Sequence, residues 1–160
     1  MTNKYKELLD EGISKIHCGE FDKAIDLITN SIELKSDWEI SYFYRAVANQ
    51  ASEKMDDAIL DYTKALKINP KMTDAYYNRA KIMLEKKNCE VDINKIIDDL
   101  NMALSLDENF TQALYAMAAA QKKAQNYNKA LEYLDKLLNI EPDAIHARAL
   151  KKLLLQKYIV

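Results

Sequence analysis

Two glycines and two prolines occur in 160 residues, where average usage of about 7% and about 5% would supply roughly eleven and eight. Hairpins, barrels and phosphate loops consume glycine and proline, because their turns need positive φ or a fixed φ. Their scarcity excludes sheet architectures and doubly wound nucleotide folds, and predicts an all-α chain. The two cysteines, Cys18 and Cys89, are too few for a disulfide framework and read as free thiols. No window approaches the roughly eighteen uninterrupted apolar residues of a membrane span. The stretch Met1 to Gly12 carries Lys4, Lys6, Glu7, Asp10 and Glu11 in place of a signal-peptide core. Those two absences make the cytoplasm the expected location, with no membrane partner. Charge of one sign is also lacking: 23 Lys plus Arg face 25 Asp plus Glu, for a net −2. That balance speaks against nucleic acid as a partner, although Arg148, Lys151, Lys152 and Lys157 give the last segment a basic stripe.

What the chain does contain is a repeat. Phe21-Asp-Lys-Ala-Ile-Asp-Leu-Ile, Met55-Asp-Asp-Ala-Ile-Leu-Asp-Tyr, Ile93-Asn-Lys-Ile-Ile-Asp-Asp-Leu and Tyr127-Asn-Lys-Ala-Leu-Glu-Tyr-Leu align at a period of 34 residues, stretched once to 38. Columns run Ala24, Ala58, Ile96, Ala130, and Ile28, Tyr62, Leu100, Leu134. Upstream of each lies a second segment with a small-residue column, Gly12, Ala46, Ala80 and Ala118. Four residues before it stand Leu8, Tyr42, Tyr76 and Leu114. Apolar residues at three- and four-residue spacing make both segments amphipathic helices, so each unit is a helical hairpin. The small columns are what two closely crossing helices require.

These residues resemble the tetratricopeptide repeat family, through Tyr76-Tyr-Asn-Arg-Ala80, Met55-Asp-Asp-Ala-Ile59, the ending Ala65-Leu-Lys-Ile-Asn-Pro70 and the ending Ile140-Glu-Pro142. The resemblance covers Tyr5 to Ala144. It implies an all-α, right-handed α-solenoid forming a single domain over 1–160. Its four hairpins would be 5–38, 39–72, 73–110 and 111–144, followed by a capping helix over 145–160. The third hairpin carries a four-residue insertion around Lys86 to Ile93, with Asp92 placed to cap the next helix.

Material for catalysis is thin. With Gly12 and Gly19 as the only glycines, no phosphate-cradling loop can be written. His17 and Cys18 are neighbours on a helix, so their side chains diverge by about 100° and do not share a metal. The pairs Asp56-Asp57 and Asp98-Asp99 are expected on solvated helix faces. The expectation is a protein that is not an enzyme and has no cofactor or metal.

The resemblance implies a binding scaffold whose first helices line a concave groove. Counted from the small-residue column, the inward positions are Leu9, Ile13 and Ile16, then Phe43, Tyr44 and Val47, then Tyr77, Asn78 and Lys81, then Tyr115, Ala116 and Ala119. The column Leu9, Phe43, Tyr77, Tyr115 is a ladder of large side chains suited to a peptide or protein segment with apolar anchors. The alternative for these aromatics is packing between repeats. A carboxylate clamp of the co-chaperone kind is argued against: its positions fall on Leu9, Ile13, Tyr44, Asp74 and Asn78, or on Phe43, Val47, Asn78, Gln112 and Ala116, with no cation among them. The last segment, with Ala147, Leu150, Leu153, Leu154, Leu155, Tyr158, Ile159 and Val160, is more apolar than a cap requires. Self-association through it, giving a homodimer, is the second expectation.

Overall fold

A computed structural model describes residues 3–86 and 92–158, and these form nine α-helices with no strand. They are α1 (Lys4–His17), α2 (Phe21–Leu34), α3 (Glu39–Ala51), α4 (Met55–Ile68), α5 (Thr73–Glu85), α6 (Ile93–Leu106), α7 (Thr111–Lys123), α8 (Tyr127–Ile140) and α9 (Ile145–Lys157). The order matches the expected alternation of first and second helices. Most of the inserted segment, with Cys89, lies outside the described residues, as do Ile159 and Val160. Asp92 caps α6 as expected, accepting from the Asn94 amide at 3.1 Å and the Lys95 amide at 3.4 Å.

Contacts gather the chain into two compact units, Met1–Ile82 and Met83–Val160, divided within α5. In the first unit, Leu9, Ile28 and Ile32 form one core cluster, against which Trp38, Ile40 and Tyr42 pack. Ala46, Ala58, Tyr62, Leu66, Ala75 and Ile82 form another. In the second unit the core is built on Leu114, Ala118, Ala130, Leu134 and Leu137, with Ala147 and Leu154 contributed by α9. The small-residue columns lie where the two helices of a hairpin meet: Ala24, Ala46, Ala58, Ala118 and Ala130 are all 0% exposed. At Gly12 a β-carbon would stand 2.5 Å from Ile28 Cγ1, so the first hairpin crosses more closely than alanine permits.

Three hairpins turn in the same way. The residue two beyond the first helix takes positive φ: Gly19 at 74°, Glu53 at 61° and Gln125 at 62°. Its amide and the next one reach back to the helix. Gly19 N donates to Ile16 O at 3.0 Å and Glu20 N to Lys15 O at 2.9 Å, and the same pair recurs at Glu53 and Lys54 and at Gln125 and Asn126. These are Schellman turns, which satisfy carbonyls otherwise left open at a helix end. Only Gly19 has the residue type such a turn prefers. Second helices end differently, on a residue of negative φ such as Asn69 or Glu141, just before Pro70 and Pro142.

A left-handed conformation costs a non-glycine residue about 1–2 kcal/mol. Glu53→Gly and Gln125→Gly are therefore each expected to stabilise the fold by roughly 1 kcal/mol, raising Tm by about 2–4 °C. Thermal unfolding followed by circular dichroism checks this; Gly19→Ala is expected to shift Tm the other way.

Candidate functional site

The first helices of unit one carry most of the expected groove residues. Phe43 and Val47 on α3 are half-buried and pack against the cluster around Tyr62. The Phe43 ring meets Tyr62 edge-on at 5.6 Å and Tyr44 edge-on at 5.4 Å. Ile13, Ile16 and Tyr44 are half-buried against the cluster of Leu9, Ile28 and Ile32. Tyr77, Asn78 and Lys81 on α5 are also half-buried. In the second unit Tyr115 is 37% exposed and Ala119 half-buried, whereas Ala116 is buried.

Leu9 is a correction. It heads the expected ladder, yet it is 2% exposed and belongs to the core. A leucine ends two carbons short of where the rings of Phe43, Tyr77 and Tyr115 end. It stays beneath the surface that Ile13, Ile16 and Tyr44 help form. Asp99 is a second correction: Asp56, Asp57 and Asp98 are exposed, but Asp99 is buried.

Tyr62, which the spacing placed only in the column of Ile28, Leu100 and Leu134, packs against Phe43. Its ring is fully buried, and its hydroxyl donates to Gln50 Oε1 at 3.2 Å. Burial, reinforced by the Asp74 carboxylate and opposed by a hydrogen bond from Asn78, pushes the phenol well above its ordinary pKa. The proton therefore stays on the oxygen at any physiological pH. Gln50 on α3 and Asn78 on α5 are thus tied to one buried hydroxyl.

On another side of α3 lies a polar junction, also missed. Arg45 grips Asp61 with two parallel bonds, Nε to Oδ2 at 2.8 Å and Nη2 to Oδ1 at 2.7 Å. Its Nη1 donates to Thr29 Oγ1 at 3.1 Å, and Asn49 Nδ2 donates to Asp61 Oδ2 at 3.1 Å. One guanidinium so joins α2, α3 and α4, and the paired carboxylate raises its pKa further. The junction floors a notch of about 530 Å³ that Ile25, Tyr42, Leu60 and Lys64 help line. A notch of about 560 Å³ in unit two lies between α6, α7 and α8, where Tyr133 takes the Asp61 place.

A sixteen-residue spacing would have revealed this junction. Arg45 meets Thr29, Arg79 Nη1 meets Thr63 Oγ1 at 2.9 Å, and Lys151 Nζ meets Asp135 Oδ1 at 2.5 Å, each pair sixteen apart. The third pair puts α9 in the register of a first helix, with Ala149 and Leu153 continuing the groove columns of Tyr115 and Ala119. Both are exposed. Among the described residues, no three His, Cys, Asp or Glu side chains converge to hold a metal ion, and no helix is long and apolar enough to cross a membrane.

Known proteins agree with this architecture. Residues 101–159 match the family model of the Fis1 C-terminal tetratricopeptide repeat. Human sperm-associated antigen 1 is 37% identical over 92 residues, which is 58% of this chain and 10% of that protein. Tetratricopeptide repeat protein 36 of Caenorhabditis elegans is 36% identical over 97 residues, 61% of this chain and 48% of its own. The chain thus spans less than half the length of either. Among solved structures, MamA protein superposes with a TM-score of 0.87 at 21% identity, covering 98% of this chain and 83% of that one. These matches support a tetratricopeptide repeat protein, and tetratricopeptide arrays are protein-interaction scaffolds.

Breaking a buried ion pair from one side costs about 3–5 kcal/mol, and Arg45 retains 22% side-chain exposure. Asp61→Ala is therefore expected to destabilise unit one by about 2–4 kcal/mol in urea unfolding. Replacing both partners by apolar residues, Arg45→Met with Asp61→Leu, is expected to recover most of that loss.

Proposed function

We propose that the chain is a non-catalytic interaction module that holds a peptide or protein segment against its first helices through apolar and aromatic contacts. The observation that supports this best is the setting of Phe43. Its ring is braced edge-on by Tyr44 and by the buried Tyr62, yet part of it stays open. A braced ring loses little freedom when a ligand covers it, which lowers the cost of association. Tyr44, Val47 and Tyr77 extend the apolar surface, Lys81 supplies a cation, and Asn78 offers an amide oriented by Tyr62. In unit two, taken by itself, Tyr115 is an exposed ring on the corresponding first helix. Leu9 has no such role, and Ile13 contributes mainly by covering it.

Magnitudes limit the affinity. Burying a large apolar side chain outright is worth roughly 1.5–3 kcal/mol, and half-buried rings have about half of that left to give. Against an association cost of about 4–15 kcal/mol, a short peptide binds in the micromolar range at best, and tighter capture needs a longer partner. The proposed place of action is the cytoplasm, where Cys18, exposed at the end of α1, stays a thiol. Self-association through α9 finds little support in its charge, since two copies laid face to face would bring Arg148 and Lys152 against cations.

Phe43→Ala combined with Tyr77→Ala is expected to abolish capture of the crosslinked partner, identified by mass spectrometry from cell extract, while helicity is retained. Undiminished capture by the double variant would overturn the groove as the binding surface.

A further inference from the structure

The register of α9 sets up a docking surface distinct from the groove anchors of unit one. In each hairpin the first helix presents its small-residue column to the second helix: Gly12 faces Ala24 and Ile28, and Ala118 shares a cluster with Ala130 and Leu134. In α9 that column is Lys152, and the column four residues before it is Arg148. Together with Ile145 and Leu155 they follow three- and four-residue spacing, so all four lie on one helix face. All are exposed, Ile145 at 77% and Leu155 at 45%. The opposite face is the one that packs, through Ala147, Leu154 and the stacking of Tyr158 on Tyr127 at 4.3 Å. The open face is therefore apolar at both ends and cationic in the middle.

The second hairpin shows what such a face accepts. There Arg45 reaches back to Thr29 on the preceding second helix and forward to Asp61 on its own second helix. In α9, Lys151 makes the backward contact, to Asp135 on α8. No described residue takes the place of Asp61. The helix holds no Asp or Glu of its own. Arg148 pairs only with the fully open Asp143, and Lys152 makes no ion pair among the described residues. A lysine in the small-residue column also keeps an incoming helix too far off for the close crossing of an ordinary hairpin, at a separation that ion pairs can span.

We infer that this face of α9 docks an acidic amphipathic helix of a partner protein, on the side a second helix takes in the other hairpins but at a wider separation. Its carboxylates pair with Arg148, Lys151 and Lys152, and its apolar residues cover Ile145 and Leu155. A second copy bound symmetrically through α9 is disfavoured, because α9 carries no Asp or Glu of its own to set against those cations.

The test uses the full chain and a synthetic helical peptide of about five turns, with glutamates on one face flanked by leucines, against a charge-inverted peptide carrying lysines instead. Fluorescence anisotropy reads binding and amide chemical shifts locate it. The expected result is binding of the acidic peptide alone, with shifts centred on Ile145 to Gln156. Affinity should fall about tenfold or more in Arg148→Glu with Lys152→Glu, and that variant should gain affinity for the inverted peptide. Both replacements are at exposed positions, and an unchanged circular dichroism spectrum confirms that they fold. The Phe43→Ala, Tyr77→Ala variant should bind the acidic peptide as the wild type does, so this surface and the groove fail or stand separately. Absence of binding, indifference to charge reversal, or shifts centred on Phe43 and Tyr77 overturns the proposal. So does self-association in sedimentation that the charge reversal abolishes, which makes a second copy the occupant. Binding to anionic vesicles in preference to the peptide overturns it as well.

Discussion

The rest of the structure depends on how closely the two helices of a hairpin can cross. Gly12, Ala46 and Ala118 meet Ala24, Ala58 and Ala130 at buried positions, and at Gly12 even a β-carbon would collide with Ile28. Close crossing sets where every other side chain of the hairpin lies. It brings Tyr62 under Phe43, buries its hydroxyl beside Gln50 and Asn78, and leaves the outer part of the aromatic rings open. An interaction surface built on such a seam inherits its rigidity, because side chains braced from below have few rotamers left to lose.

Polar contacts then fix how one hairpin follows another. The sixteen-residue bonds of Arg45, Arg79 and Lys151 all run from a first helix to the second helix before it. Apolar packing alone tolerates sliding by part of a turn; a hydrogen bond between named atoms does not. Asp61 adds the link to the helix that follows, gripping the guanidinium with two bonds. The same register makes α9 a first helix by its backward contacts, while Arg148 and Lys152 change what it offers forward. A cap and a docking face are then one surface, distinguished only by whether a helix of the right charge arrives.

Much of this was legible in the amino acids. The repeat, the helix order, the Asp92 cap, and the roles of Gly12, Gly19, Pro70 and Pro142 follow from spacing and residue chemistry, which are local. Leu9 was not legible, because its column is shared with Phe43, Tyr77 and Tyr115, and only the length of the side chain and the cover over it decide burial. Asp99 reads like Asp98 beside it, yet one is buried and the other exposed. Glu53 and Gln125 hide positive-φ turns, since neither residue type signals one. The Arg45 junction left only its sixteen-residue spacing as a sign, since two charges that far apart are neighbours only once two helices have folded back on each other.

By itself, the sequence determined the class of the fold and its repeat, since scarcity of glycine and proline excludes sheets and four aligned hairpins define the period. It also marked the start of α6 at Asp92 and the ends of second helices at Pro70 and Pro142, because those depend on residue chemistry within a few positions. Only the tertiary structure decided which face of each column is covered. It showed Tyr62 as the buried hydroxyl between Gln50 and Asn78, Arg45 as the link between successive hairpins, and the cationic face of α9 as open. Burial and pairing depend on what stands opposite a side chain, and what stands opposite comes from another helix.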